Sequence, residues 1–381
     1  MNVLILSCDT GGGHNSAARS IQKELIRRGH QAVFLNPFEL SGKRVAGAVG
    51  GAYVKLVQKH PRAFGMLYKL GAFVSRLPGR SPVYYANSLV ARHLAKYLEQ
   101  KSYDAIVMPH LYPAEMISYL KRKGWNCPKS VYVATDYTCI PFTGETECDY
   151  YVIPHEELEL EFVRKGVKKQ KLRAFGIPVD ATFCSKETKQ QAREKLGMSE
   201  DGIYYLVAGG SIGAGKIQQL LDLMREALEE VEQAVVICGR NKKLEKKLRK
   251  RYDGYKNISI IGSTDQMATY MRACDVLYSK PGGLSSTEAA VIGIPLIHLT
   301  PIPGCETRNR IFFRKHGMCL APRMIEDQLL AGRKLMKNTR PAGRMIENQQ
   351  NTVPADAAER IAPPTRSAWD GERSPEHCPL H

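Results

Sequence analysis

Residues 1–35 read MNVLILSCDTGGGHNSAARSIQKELIRRGHQAVFL. Asn2–Ser7 is nearly all aliphatic and alternates poorly, as suits a parallel strand covered on both faces. Asp9–His14 is a glycine-rich turn. Ser16–Gly29 then sets Ala17, Ala18, Ile21, Leu25 and Ile26 at helical spacing and closes on Gly29. Ala32–Leu35 is apolar again. Strand, glycine-rich turn, helix and strand open a doubly wound α/β domain. Further strands are expected at Ala105–Met108, Ser130–Thr135 and Tyr150–Pro154, and Gly176-Ile177-Pro178-Val179-Asp180 reads as the exit from this unit. The same grammar then starts afresh. Strand Ile203–Ala208 precedes Gly209-Gly210-Ser211, a helix from about Ile217 to Val231 and strand Ala234–Cys238. A charged helix around Lys242–Tyr252, strand Ile258–Ile261, a helix near Gln266–Ala273 and strand Val276–Ser279 follow. Helix Ser286–Ile292 and strand Pro295–Leu299 complete the run. The expected fold is α/β, with two Rossmann-like domains at 1–178 and 179–338 facing across a cleft. A ligand would sit between them, at the carboxyl ends of both sheets. Residues 339–381 are rich in proline and poor in aliphatics, which predicts a short helix near Ala355–Ile361 and a disordered tail.

A chain of 381 residues suits two cores better than one. It contains no run of about 18 apolar residues, and its start lacks the basic region and cleavage site of a signal peptide. The 10 cysteines form no C-x-x-C pair, and several (Cys8, Cys238, Cys274) fall in expected core elements. Reduced thiols in the cytoplasm and no metal site are the simplest expectation. The net charge of +17 calls for a partner. No nucleic-acid module is visible, and the distribution of charge points elsewhere. Between Glu39 and Glu99 there is no acidic residue, whereas Lys43, Arg44, Lys55, Lys59, Arg62, Lys69, Arg76, Arg80, Arg92 and Lys96 are all basic. They alternate with Val45, Val49, Tyr53, Phe64, Met66, Leu67, Leu70, Phe73 and Leu77. Apolar groups entering a headgroup layer beside cations suit the surface of an anionic membrane. An ordinary solvated basic face is the plainer reading of the same stretch.

The segment with the clearest chemistry is Ser279–Ala289, SKPGGLSSTEA. Two glycines leave a strand end and Ser and Thr residues open a helix, so backbone N–H groups and the helix dipole meet at one point suited to a diphosphate. Glu288 could accept hydrogen bonds from ribose hydroxyls. A tight strand-to-helix turn with no ligand would look similar. Gly210 and Ser211 lie in a second strand-end glycine loop, and Gly11, Gly12 and Gly13 in a third, which ends in His14. A histidine at a positively polarised helix start favours neutral imidazole, a form able to act as a base; it could equally be a cap or a packed residue. Asp136 follows a core strand and would point into the same cleft, to orient a base or to cap a turn. Pro303–Asn309, PGCETRN, brings Glu306 and Asn309 to another strand end, with groups of the kind that bind sugar hydroxyls. No D-x-D occurs, so phosphate charge would be met by backbone dipoles without a metal.

The order GGGH, TDY, GIPVD, GGS, CGRN, SKPGGLSSTEA and PGCETRN resembles the monogalactosyldiacylglycerol synthase and processive diacylglycerol β-glucosyltransferase family, a group of GT-B glycosyltransferases. The resemblance spans about residues 1–360. It implies a UDP-sugar donor (UDP-glucose or UDP-galactose) on the second domain and a diacylglycerol acceptor reached by the first from the inner face of the cell membrane. It also implies an inverting transfer that needs no further cofactor. His14 matches the family's base. Ser211 matches the phosphate-side loop with Gly210, and Arg240 lies beside the nucleotide. Gly282, Gly283, Leu284 and Ser285 match the diphosphate loop, Glu288 the ribose contact, and Glu306 and Asn309 the sugar-side segment. The family has Gln where this chain has Cys305, and a thiol cannot supply an amide's paired donor and acceptor. Beyond Gly317 the chain drifts from the family, which implies an altered C-terminal helix. Other readings remain open: N-acetylglucosaminyl transfer to a polyprenyl-linked acceptor, epimerisation of a UDP-sugar, or nucleotide-sugar binding with impaired catalysis.

Overall fold

The aliphatic runs form two wholly parallel sheets in a computed structural model of the chain. It describes residues 1–363 apart from 10, 43, 45, 48, 49, 52–54, 58, 59, 211, 212, 214 and 215. Ser211, the basic Lys43 and Lys59, the apolar Val45, Val49 and Tyr53, and the tail beyond 363 therefore lie outside the described residues. The first sheet comprises β1 (Asn2–Leu6), β2 (Gln31–Leu35), β3 (Ala105–Met108), β4 (Lys129–Val133), β5 (Tyr150–Val152) and β6 (Leu172–Arg173), ordered β2-β1-β3-β4-β5-β6. The second comprises β7 (Ile203–Ala208), β8 (Glu232–Ile237), β9 (Ile258–Ile261), β10 (Val276–Ser279) and β11 (Leu296–His298), ordered β11-β10-β7-β8-β9. Central strands such as β1 and β3 are buried on both faces, which is why they read as unbroken aliphatic runs. Strand order reverses between β1 and β3 and between β7 and β10, and a doubly wound sheet opens a crevice at such points.

Helix α1 (Gly13–Arg27) buries Ala17, Ala18, Ile21 and Leu25 as its spacing predicts, and Gly29 follows its end at φ +79°. It starts three residues before the expected Ser16. Its first turn is held by Asn15, which accepts from Ser7 Oγ at 2.6 Å and donates to Asp9. Helices α2 (Pro61–Val74) and α3 (Pro82–Glu99) come from the basic, acid-free stretch, and each begins with a proline in the first turn, where no N–H is needed. Helix α4 (Leu111–Arg122) packs against α3. In the second domain, α5 (Gly283–Ile292) and α6 (Cys305–Lys315) carry the glycine-loop and PGCETRN segments.

The drift after Gly317 leaves the C-terminal helices in place. Helix α7 (Thr339–Thr352) runs for 14 residues, and α8 (Ala357–Ile361) returns to the first domain and packs on α1. Pro341 does not interrupt α7 because it stands in the first turn, where backbone donors have no helical partner. Ile361 and Ala362 join Val3, Ile5, Ile21 and Val107 in one cluster beneath the first sheet. His30 Nε2 lies 3.1 Å from the Pro363 carbonyl.

One buried carboxyl ties these helices together. Glu115 of α4 is fully buried and accepts from Asn87 of α3. Burial first, and then the nearby Glu145, push its pKa up to about 9, whereas Asn87 works the other way. Glu145 in turn accepts from the Ser81 backbone N–H at 2.8 Å and from its hydroxyl at the start of α3. The folded chain thus holds a proton on Glu115 that the unfolded chain releases above about pH 4.3. Its contribution is complete below that value and is lost as pH climbs toward 9. Glu115→Gln removes this slope. Thermal unfolding between pH 6 and 9 should show the wild-type Tm falling relative to the variant by roughly 4 °C or more. Parallel curves would refute the protonated assignment.

Candidate functional site

Loops at the carboxyl ends of both sheets meet, as strand order predicts. From the first domain come Asp9, Gly11 and Gly12 after β1, Pro109–His110 after β3 and Ala134–Tyr137 after β4. From the second come Gly209–Gly210 after β7, Lys280–Gly282 after β10 and Leu299–Gly304 after β11. The two sides touch. A Cβ on Gly283 would lie 1.9 Å from the Thr135 carbonyl oxygen, so no side chain fits there. A Cβ on Gly13 would lie 3.7 Å from Leu284 Cβ, and Arg240 Nη2 reaches the Gly11 carbonyl at 3.4 Å.

His14 occupies the first turn of α1 with its ring against first-domain partners. Nδ1 lies 2.8 Å from the Pro109 carbonyl oxygen and 2.9 Å from Thr135 Oγ1. A carbonyl only accepts, so Nδ1 carries the hydrogen and Nε2 keeps its lone pair. Burial lowers the His14 pKa, while the Asp136 charge and the Pro109 bond pull the other way. The result is neutral imidazole at pH 7 with an unprotonated Nε2. His110, buried at the start of α4, packs edge-on at 4.5 Å between ring centroids, and burial holds it well below the usual histidine range. Sequence reasoning passed over His110, although it follows β3 just as Asp136 follows β4 and carries the same strand-end signal.

Asp136 faces His14 from the end of β4. Burial raises its pKa, whereas a hydrogen bond from Asn309 and the charge of His14 lower it. Asn309 Nδ2 donates to Asp136 Oδ1 at 2.7 Å and to the Pro281 carbonyl at 3.0 Å, and its Oδ1 accepts from the Tyr137 N–H at 2.7 Å. The expected sugar-side amide is thus spent on two contacts to the first domain and one within its own. Cys305 lies one turn earlier on α6. Burial, then Asp136, push its thiol far up, so it stays protonated. Glu306 is ion-paired with Lys280 and accepts from the Ile302 N–H at 2.8 Å. Burial works against the Lys280 charge, but Glu306 more than offsets it and the ammonium is kept.

The segment expected to hold a diphosphate begins its helix at Gly283 rather than Ser286, with Gly282 as N-cap. The free amides of the first turn are therefore those of the glycine loop itself. Leu284 is buried, Ser285 half-buried, and Gly210 stands at φ +68° against the Lys280 side chain. Glu288 is deeper in α5 than expected, where burial and Asp180 raise its carboxyl to about 8. Among the described residues, no group of three His, Cys, Asp or Glu side chains is placed to hold a metal ion.

Beside His14 opens a largely apolar cavity of about 380 Å³. Phe64, Leu67, Leu70 and Val74 of α2 form one wall, Ile140 and Phe142 the other, and His14, His110, Asp136 and Cys305 line its inner end. Helix α2 also bridges the domains. A Cβ on Gly65 would lie 2.6 Å from Pro303 Cβ, and the Tyr68 ring lies against Gly304. The cavity opens along α2, where Leu67 and Leu70 of its wall are exposed beside Met66 and Phe73 of the outer face, as are Leu77 beyond the helix and Tyr85 and Leu89 on α3. No helix among the described residues is long and apolar enough to cross a membrane.

Comparison with known proteins agrees with this geometry. Residues 14–179 match the family described as monogalactosyldiacylglycerol (MGDG) synthase, and residues 205–362 match the glycosyltransferase family 28 C-terminal domain. The processive diacylglycerol β-glucosyltransferase of Bacillus licheniformis is 23% identical over 363 residues, 94% of this chain and 93% of that protein. The probable chloroplastic monogalactosyldiacylglycerol synthase of Nicotiana tabacum is 30% identical over 329 residues, 83% of this chain and 61% of that protein. The crystal structure of Anabaena HepE in complex with UDP-glucose superposes with a TM-score of 0.56 at 13% identity, covering 95% of this chain and 98% of the other. The chain has the GT-B fold, and it belongs to the monogalactosyldiacylglycerol synthase and diacylglycerol glucosyltransferase family of glycosyltransferases.

Proposed function

We propose that the chain moves a hexose, glucose or galactose, from a UDP-sugar to the hydroxyl of 1,2-diacylglycerol, forming a β-glycosyl-diacylglycerol at the cytoplasmic face of the cell membrane. The observation that carries this reading is the apolar cavity. It is lined by His14, Asp136 and Cys305 and walled by a helix whose outer face is exposed, apolar and basic. Two acyl chains suit such a wall. One relative is a diacylglycerol β-glucosyltransferase and another a probable monogalactosyldiacylglycerol synthase, and HepE carries UDP-glucose on the same fold.

In this mechanism the glycerol oxygen attacks the anomeric carbon on the face opposite UDP, and the bond from that carbon to the phosphate oxygen breaks. The hydroxyl proton passes to His14 Nε2. Asp136 supplies negative charge beside the imidazolium that forms, and Thr135 with the Pro109 carbonyl keeps the ring oriented. The departing diphosphate meets the amides at the start of α5, Gly210 and Arg240. Such preorganised dipoles need no reorganisation as charge develops. Glu288 accepts from the ribose, and Glu306, held by Lys280, faces the sugar. Cys305 offers a thiol where the family has an amide, which relaxes one contact to the sugar hydroxyls. Helix α2, with Arg62, Lys69 and Arg76 around Met66, Leu70 and Phe73, rests on anionic lipid.

Radiolabelled UDP-glucose and UDP-galactose, each offered with diacylglycerol vesicles, should yield a labelled glycolipid from one or both. Label appearing only in a polyprenyl-linked product, or in none, overturns the reading. His14→Ala should lower transfer by about 10²–10⁴ while UDP affinity stays within about twofold. More than a tenth of the activity surviving would remove His14 as the base. Because the His14 pKa lies below its ordinary 6.5, the acid limb of kcat in the wild type should also fall below that pH. Reversing Lys69 and Arg76 to Glu should weaken binding to anionic vesicles by roughly tenfold or more without altering UDP affinity. Equal vesicle binding would exclude this face as the membrane contact.

A further inference from the structure

We propose that Asn309 is a positioning residue that holds Asp136 across the gap between the domains, so that the reacting geometry exists only while the two domains are apposed. The inference rests on the transfer reading above and reassigns a residue that the family resemblance puts on the donor sugar.

The case starts from valence. An amide has two hydrogens to donate, and Asn309 gives both, one to Asp136 Oδ1 at 2.7 Å and one to the Pro281 carbonyl at 3.0 Å. Its oxygen accepts from the Tyr137 N–H at 2.7 Å, and the residue has no exposed surface. Nothing remains to donate to a sugar hydroxyl. The surroundings serve the same grip. Cys305, four residues earlier on the same face of α6, turns its thiol toward Asp136. The Tyr137 hydroxyl lies 2.9 Å from Thr287 Oγ1 of α5, and the Tyr137 ring stacks on Phe312 of α6 at 4.6 Å between centroids. Residues 135–137 of the first domain are thus clasped by two helices of the second.

The clasp has a chemical consequence. Burial favours the neutral carboxyl of Asp136, and the Asn309 bond is the first influence opposing it. Parting the domains breaks that bond and frees the Asp136 side chain to turn away from His14, so its charge is no longer held beside the imidazolium. A sugar donor hydrolysed by stray water in the open state would meet a weaker base, so closure couples turnover to the presence of both substrates.

The test uses Asn309→Ala and, to guard against loss of fold, Asn309→Ser, whose single hydroxyl cannot serve all three partners. Initial rates with UDP-hexose and diacylglycerol vesicles should show kcat down by about tenfold or more, donor KM within about twofold, and the acid limb of kcat moved down, because the Asp136 charge that holds the His14 pKa up is no longer kept in place. Hydrogen exchange of the Tyr137 amide, read in the full chain without acceptor, should quicken by roughly tenfold or more. A rise in donor KM with the pH profile and Tyr137 exchange unchanged would overturn the proposal and return Asn309 to the sugar. If the wild type forms no glycolipid, the transfer reading fails by itself, and Tyr137 exchange still decides whether Asn309 ties the domains.

Discussion

Everything at the site depends on how closely the Thr135 carbonyl approaches the start of α5. Because Gly283 has no side chain, the end of a first-domain strand rests directly on the helix terminus that opens the second domain's glycine loop. That contact brings an imidazole built on one sheet close to the helix start and glycine loop built on the other. The remaining contacts follow from it. Arg240 reaches Gly11, Leu284 meets Gly13, and Tyr137 slides between α5 and α6. Neither domain alone brings together His14, Asp136 and the free amides at the start of α5. The division of labour is also electrostatic. The same burial that keeps His14 neutral makes the Asp136 anion costly, and the second domain supplies the hydrogen bond that eases that cost.

Most of the framework was legible in the chain because its parallel strands are covered on both faces and so appear as plain aliphatic runs. Strand ends and glycine loops were found this way, and with them His14, Asp136 and the diphosphate segment. Helix starts were read late, at Ser16 and Ser286 rather than Gly13 and Gly283. Glycine is a poor helix former and no side-chain cap marks either start. The cavity was not legible. Its wall is a helix whose apolar residues are split between a pocket and an open face, a pattern that composition reports only as mixed. Nor was the engagement of Asn309, whose partners stand 172 and 173 residues earlier in the chain. Local spacing contains no signal for a pairing at that range.

The C-terminal part misled for a different reason. Prolines and sparse aliphatics suggest only a short helix near Ala355–Ile361 before a tail; that helix is present, but α7 before it buries Met345 and Gln349 against the second domain. Gln349 Nε2 donates to the Ile294 and Met318 carbonyls at 3.1 and 2.9 Å. A helix anchored by a polar side chain bonded to backbone leaves little hydrophobic trace. From there the chain recrosses, with Pro354 packed against Gly176 at the first crossing, so two segments run side by side between the domains.

That return has a consequence for how the molecule is made. Val3 and Ile5 are synthesised long before Ile361 and Ala362, which finish the layer that covers them. The first domain therefore waits, with apolar surface uncovered, until almost the whole of the second has been synthesised. Its last native contacts span nearly the full chain and close at a high cost in loop entropy. Synthesis order and folding order are opposed here, and the N-terminal half is the later of the two to reach its final packing.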